Sequence, residues 1–200
     1  MKVGLFFGTY NPIHVGHLII ANYMVQYTDL DRVWMVVSPQ NPLKKRETLL
    51  EDFHRINMVR EAIDQNPLLW ASDVEFHLEK PSYTVNTLAH LQEQYPDHEF
   101  TLIMGEDNLR TFHKWRNFNY ILEYHSIIVY PRVYTEQEKE QLAKKENRFE
   151  GHPKIQIVHA PVLKVSSSLI RRMIGQGKDP RYLLTPEVYR YVDEMNFYRS

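Results

Sequence analysis

Val3-Gly4-Leu5-Phe6-Phe7-Gly8 runs without a break into Thr9-Tyr10-Asn11-Pro12-Ile13-His14-Val15-Gly16-His17. The apolar run Val3 to Phe7, bounded by Gly4 and Gly8, reads as a buried first strand. Asn11-Pro12 breaks the chain. From His17 to Tyr27, apolar residues at Leu18, Ala21, Tyr23, Met24 and Val25 suit a helix. In an open parallel sheet, the turn between a first strand and a first helix is where nucleotide phosphates sit, because helix amides point there. The glycines are wrongly spaced for the dinucleotide fingerprint Gly-x-Gly-x-x-Gly, and no Gly-Lys-Ser/Thr follows as in a P-loop. Hydride transfer and P-loop hydrolysis both lose support.

The rest of the chain repeats the strand–helix alternation. Strands are predicted over 32–37, 68–76, 99–104, 126–130 and 154–159. Helices are predicted over 49–65, 84–95, 135–145, 166–174 and 186–195. In the second helix Leu50, Phe53, Ile56, Val59 and Ile63 form the apolar face; in the third, Val85, Leu88 and Leu91 do. Alternation at these lengths implies an α/β protein with a doubly wound parallel sheet. With 200 residues the chain reads as one domain, 1–200, without repeat or linker. The polar stretches 39–48 and 132–152 follow strand ends, where α/β ligands bind.

Charge is balanced, with 24 Lys plus Arg against 25 Asp plus Glu. A general nucleic-acid binder is usually basic, so none is expected as a partner, and an anion site must be local. The chain has no cysteine, which excludes disulfides, thiolate chemistry and sulfur-ligated zinc. That fits a reducing compartment, and the expected location is cytoplasmic. No segment approaches the roughly 20 apolar residues of a membrane span. An assembly of identical subunits stays open.

Two imidazoles at His14 and His17, at a helix start, can donate hydrogen bonds to phosphate oxygens or carry partial positive charge to them. Gly16 between them would let backbone approach a ligand. Near the other end, Val165-Ser166-Ser167-Ser168-Leu169-Ile170-Arg171 opens another helix after the last strand. Its serines offer hydroxyls and amides to an anion, and Arg171 adds a fork of donors. Helix capping by serine is the simpler reading of that stretch taken alone.

The string Asn11-Pro12-Ile13-His14-Val15-Gly16-His17 resembles the two-histidine signature of the nucleotidyltransferase superfamily, and most closely that of bacterial nicotinate mononucleotide adenylyltransferases. Ser166-Ser167-Ser168-Leu169-Ile170-Arg171 is similar to the family motif that grips the ATP β- and γ-phosphates. Pro39-Gln40-Asn41-Pro42-Leu43-Lys44, Ser82-Tyr83-Thr84, Gly105-Glu106-Asp107 and Lys114-Trp115 also match family segments.

The resemblance implies a Rossmann-like nucleotidyltransferase fold and transfer of AMP from ATP to nicotinate mononucleotide. It implies that Gly8, Thr9, Tyr10, His14, His17, Ser166, Ser167 and Arg171 bind ATP. Asn11, Lys44, Ser82, Tyr83, Thr84, Gly105, Asp107, Trp115 and Arg116 would meet the acceptor. His14, His17, Lys44 and Arg171 would stabilise the reacting phosphates, though Lys45 stands next to Lys44 as an alternative. Mg²⁺ would enter bound through ATP, with no dedicated metal ligand. Rival readings are the same chemistry on nicotinamide mononucleotide or phosphopantetheine, and a nucleotide-binding regulator without turnover.

Overall fold

A computed structural model of the chain describes residues 1–39, 49–133, 148–149 and 151–199. Six strands form one sheet: β1 (Lys2–Gly8), β2 (Arg32–Val37), β3 (Leu69–Ser72), β4 (Glu99–Gly105), β5 (Ser126–Tyr130) and β6 (Ile155–Ile157). Their order is β3-β2-β1-β4-β5-β6, and every pairing is parallel. The described helices are α1 (Val15–Tyr27), α2 (Asp52–Ile63), α3 (Thr84–Gln94), α4 (Glu106–Thr111), α5 (Phe118–Tyr124), α6 (Ser167–Gly175) and α7 (Pro186–Glu194). The expected α/β doubly wound sheet is present.

Strand residues alternate between two apolar cores, one on each face. Phe6, Val33, Met35, Ile103 and Ile128 face Ile20, Met24, Ile56, Val59, Ile170 and Val188 of α1, α2, α6 and α7. Val3, Leu5, Trp34, Val36, Leu102 and Val129 face Val85, Leu88, Leu91, Leu109 and Ile121 of α3, α4 and α5. A strand buried on both faces must be apolar at every position, which is why these runs show no polar alternation. Each fully buried Leu or Met, such as Leu88 or Met24, contributes about 1.5–3 kcal/mol over leaving it in water. Connections leave β1 toward β2 and β4 toward β5, so a crevice opens between the loops after β1 and β4.

Several expectations are corrected. The third strand stops at Ser72, whose hydroxyl accepts the Val74 N–H at 3.4 Å; the chain then turns through a 3-10 helix, Val74–His77. The sixth strand is limited to Ile155–Ile157. α2 is shorter than expected and rotated: Phe53 is 63% exposed, while Arg55 occupies the buried stripe. The short helices α4 and α5 fill the β4–β5 connection, where no helix had been placed. The helix expected over 135–145 lies outside the described residues. No described helix is long and apolar enough to cross a membrane.

Candidate active site

The turn after β1 is held from within. Tyr10 takes a left-handed backbone (φ 44°) and is buried, its hydroxyl donating to the Phe6 carbonyl at 2.6 Å. A Cβ on Gly8 would lie 2.8 Å from the Tyr10 ring, so only glycine lets that ring cover the strand end. His14 is the N-cap of α1, and its carbonyl accepts the His17 N–H at 2.9 Å. The His14 N–H donates to His17 Nδ1 at 3.3 Å, which places the proton of the neutral His17 ring on Nε2. The two imidazoles stack with centroids 3.7 Å apart. Phe6 and Tyr10 press on the His17 ring edge-on.

His14 is buried, and its Nδ1 has no hydrogen-bond partner. Burial lowers its pKa to about 4, against a smaller upward pull from its own backbone. The sequence reading allowed both histidines partial positive charge; His14 instead stands neutral at neutral pH, a hydrogen-bonding group rather than a cation.

The motif before α6 closes onto this turn. Ser167 Oγ donates to the Pro12 carbonyl at 2.8 Å, and Arg171 donates to the Asn11 carbonyl at 2.7 Å. Ser166 caps α6 by accepting the Leu169 N–H at 3.2 Å, and Ser168 Oγ accepts from Arg171 at 3.3 Å. The amides of Ser167 and Ser168 precede the first helical bond. At Gly16 a Cβ would meet Val165 Cγ1 at 2.7 Å and the His14 ring at 3.1 Å. The glycine lets the two motifs touch. The Asn11 carboxamide oxygen accepts from the Tyr198 hydroxyl at 2.7 Å and from the Leu50 N–H at 3.4 Å.

Beside the turn lies Arg55, fully buried. It donates to the carbonyls of Thr9 (2.8 Å), Ser38 (2.6 Å), Leu50 (3.0 Å) and Pro39 (3.2 Å), and pairs with Asp52. It joins the exits of β1 and β2. Lys44 and Lys45, six and seven residues beyond Ser38, lie outside the described residues.

Before α3, Tyr83 is the N-cap, with no side-chain cap bond. Ser82 is buried, and close by the buried carboxylate of Glu75 accepts from Thr87 Oγ1 at 2.8 Å. The amides of Thr84 and Val85 precede the first helical bond, which runs from Asn86 to the Tyr83 carbonyl at 2.8 Å. The Arg116 guanidinium sits 4.8 Å over the Tyr83 ring, which brings Tyr83-Thr84 and Trp115-Arg116 together. Trp115 packs edge-on against Phe112, and its N–H is used by the Phe112 carbonyl at 2.9 Å. Gly105 caps α4; a Cβ there would strike Asp107 Oδ1 at 2.6 Å. Asp107 is 3.9 Å from Arg132. Burial, aided by Asp107, pushes the Tyr130 phenol to about 12.

Arg55, Glu75 and Tyr198 were not singled out from the sequence. Arg55 had a signal: with Val59 and Ile63 it falls at i, i+4 and i+8, the inward stripe of α2. Glu75 and Tyr198 had none, since their partners are distant in the chain.

A turn with two histidines, locked to a serine–arginine helix start at the switch point of a parallel sheet, is the arrangement of a nucleotidyltransferase. The model of the cytidylyltransferase-like family matches residues 5–173. A protein of Flavobacterium johnsoniae named "Probable nicotinate-nucleotide adenylyltransferase" is 55% identical over 200 residues, all of both chains. One of the same name from Bacteroides fragilis is 41% identical, over 96% of this chain and 90% of that one. The chain therefore belongs to the cytidylyltransferase-like family and, within it, to the nicotinate-nucleotide adenylyltransferases. The solved nicotinic acid mononucleotide adenylyltransferase of Plasmodium falciparum, complexed with NaAD, superposes with a TM-score of 0.77 over 98% of this chain and 97% of that one; at 20% identity the likeness is one of fold.

Proposed function

We propose that this chain transfers AMP from ATP to nicotinate mononucleotide, giving nicotinate adenine dinucleotide and pyrophosphate, a step of NAD biosynthesis. Full-length kinship with proteins of that name supports the reading. The observation that carries it in the structure is the locked pair of motifs: the His14–His17 stack on one side, the Ser167 and Ser168 amides with Arg171 on the other.

An oxygen of the mononucleotide phosphate attacks the ATP α-phosphorus in line, and the bond to the bridging oxygen of pyrophosphate breaks. The two substrates are both anionic, so the protein's task is to align them and compensate charge, with no covalent intermediate. His17, donating from Nε2, and His14 contact the α-phosphate. The α6 amides and Arg171 hold the departing pyrophosphate. Ser166 and Ser167 spend their hydroxyls on the fold and act through backbone. Gly8, Thr9 and Tyr10 shape the ATP side of the turn, Asn11 meets the acceptor, and Lys44 screens charge. Tyr83, Thr84, Trp115 and Arg116 receive the pyridine, and Gly105 and Asp107 a ribose. The crevice offers imidazole, amide and guanidinium donors, which suit phosphate oxygens, so Mg²⁺ comes on ATP and spreads its charge. One domain carries both halves. Because ATP is a cytoplasmic metabolite, the cytoplasm is the place of action.

Pyrophosphate release from ATP, followed with each acceptor in turn, tests the reading. Release with nicotinate mononucleotide is expected; release with phosphopantetheine alone would refute it. His17→Ala should lower turnover by at least about 10²-fold, the scale of losing one transition-state donor, with the thermal transition retained.

A further inference from the structure

Beyond α7 the chain turns back to the site. The helix closes in a Schellman motif: the Phe197 N–H donates to the Val192 carbonyl and the Asn196 N–H to the Asp193 carbonyl, both at 3.1 Å. Asn196 takes the left-handed backbone that this motif requires (φ 53°), which asparagine tolerates. Phe197 packs edge-on against His54 of α2, with centroids 4.8 Å apart. The helix end asks for no second left-handed residue. Yet Tyr198 is one (φ 63°), and for a bulky side chain that backbone is uncommon. It persists only where the surroundings hold it. What holds it is the Tyr198 hydroxyl, which donates to Asn11 Oδ1 at 2.7 Å across 187 residues of sequence.

Asn11 is gripped at both of its carbonyl groups. Its main-chain carbonyl accepts from Arg171 at 2.7 Å. Its side-chain oxygen accepts from Tyr198 and, at 3.4 Å, from the Leu50 N–H. A main-chain N–H can only donate, so the oxygen of the carboxamide, and not its nitrogen, faces this pair. Both lone pairs of that oxygen are thereby used, and any further bond of the side chain is made as a donor through Nδ2. Burial holds the Tyr198 phenol far above its ordinary range, so it keeps the proton that it donates.

We propose that Tyr198 is a positioning residue for the acceptor mononucleotide: its hydroxyl fixes the orientation of the Asn11 carboxamide, so that this side chain meets the acceptor as a hydrogen-bond donor. The proposal rests on the reading of Asn11 as an acceptor contact. Tyr198 itself touches no substrate and acts through Asn11.

The test is Tyr198→Phe, which keeps the ring beside Phe197 and removes only the hydroxyl. Pyrophosphate release gives kcat and both KM values, and thermal unfolding reports the fold. The KM for nicotinate mononucleotide should rise about fivefold, the scale of one lost neutral hydrogen bond. The KM for ATP should stay within about twofold. In an Asn11→Ala protein, Tyr198→Phe should raise the acceptor KM no further, because the hydroxyl works only through Asn11. A residue that merely held the fold would show its full effect there too. An unchanged acceptor KM in Tyr198→Phe, an equal rise in both KM values, or the same rise with and without Asn11 would overturn the proposal. Asn11→Ala alone checks the reading beneath it. If it leaves the acceptor KM unchanged, the assignment of Asn11 fails and the proposal with it; if it raises that KM while Tyr198→Phe does not, the proposal alone fails. Should Asn11→Ala fail to fold, the split between the two KM values in Tyr198→Phe decides. Wild-type protein settles the acceptor first: if it uses another mononucleotide, the function reading fails, and the same split is measured for that acceptor.

Discussion

Burial holds His14 neutral down to about pH 4, against 6.5 for a free imidazole. Between those values the unfolded chain binds a proton that the folded chain refuses. Stability therefore rises with pH across this window, and it is lost as pH falls from about 6.5 through about 4. The full window is worth about 3 kcal/mol, and the part between pH 6.5 and 5 about 2. His125, also lowered by burial, acts in the same direction, and Glu75, raised by burial, in the opposite one. The His14 share is isolated by comparing wild type with His14→Gln in urea unfolding at pH 7 and pH 5. Wild type should lose about 2 kcal/mol more than the variant between the two. Equal losses would mean that the His14 ring is hydrated. The orphaned Nδ1 has the same origin.

At the scale of elements, α1 meets the segment that leads into α6 through Gly16 and Val165, about 150 residues apart in sequence but in contact. Gly16→Ala gains about 1 kcal/mol of helix propensity. It also sets a Cβ 2.7 Å from Val165 Cγ1, overpacking that costs about 1–3 kcal/mol. The clash outweighs the gain, because His14 closes the other side at 3.1 Å. Thermal unfolding should fall by a few degrees, on the order of 2–4 °C per kcal/mol for a chain of this size. The KM for ATP should rise as α6 is pushed off the turn. Val165→Ala in the same chain should restore both, and a Gly16→Ala protein as stable as wild type would sink this account. Each motif is legible in sequence, since turn, cap and helix start are local. Their contact is not, and neither is the face of α2: Phe53 fits an apolar periodicity yet points to water, while Arg55 lies inside because carbonyls of two loops await it. The helices α4 and α5, six and seven residues long, are too short for periodicity to mark.

For the molecule as a whole, the parallel sheet follows from buried strands and intervening helices, but the order β3-β2-β1-β4-β5-β6, which sets where the crevice opens, is a long-range property. So is the approach of Arg116 to Tyr83, which bears on whether acid or amide is preferred. Nicotinate and nicotinamide mononucleotides differ only in a carboxylate against a carboxamide, so preference depends on what the acceptor side donates and accepts. The Thr84 and Val85 amides donate at the start of α3, where the helix adds partial positive charge worth about 0.3–1 kcal/mol. The Arg116 guanidinium, held over the Tyr83 ring at 4.8 Å, adds a full positive charge beside them. Donors bond a carboxylate about twice as strongly as a neutral oxygen. Two such contacts, each better by about 1–2 kcal/mol, give about 10- to 10³-fold in specificity constant. The acid should therefore be favoured by at least about tenfold when both mononucleotides are assayed at equal, low concentration. Arg116→Gln should narrow that ratio several-fold by raising the KM for the acid and leaving the amide nearly unchanged. Equal rates for the two acceptors in the wild type would mean that these donors do not face the carboxylate, and an unchanged ratio in Arg116→Gln would leave the preference to the α3 amides alone.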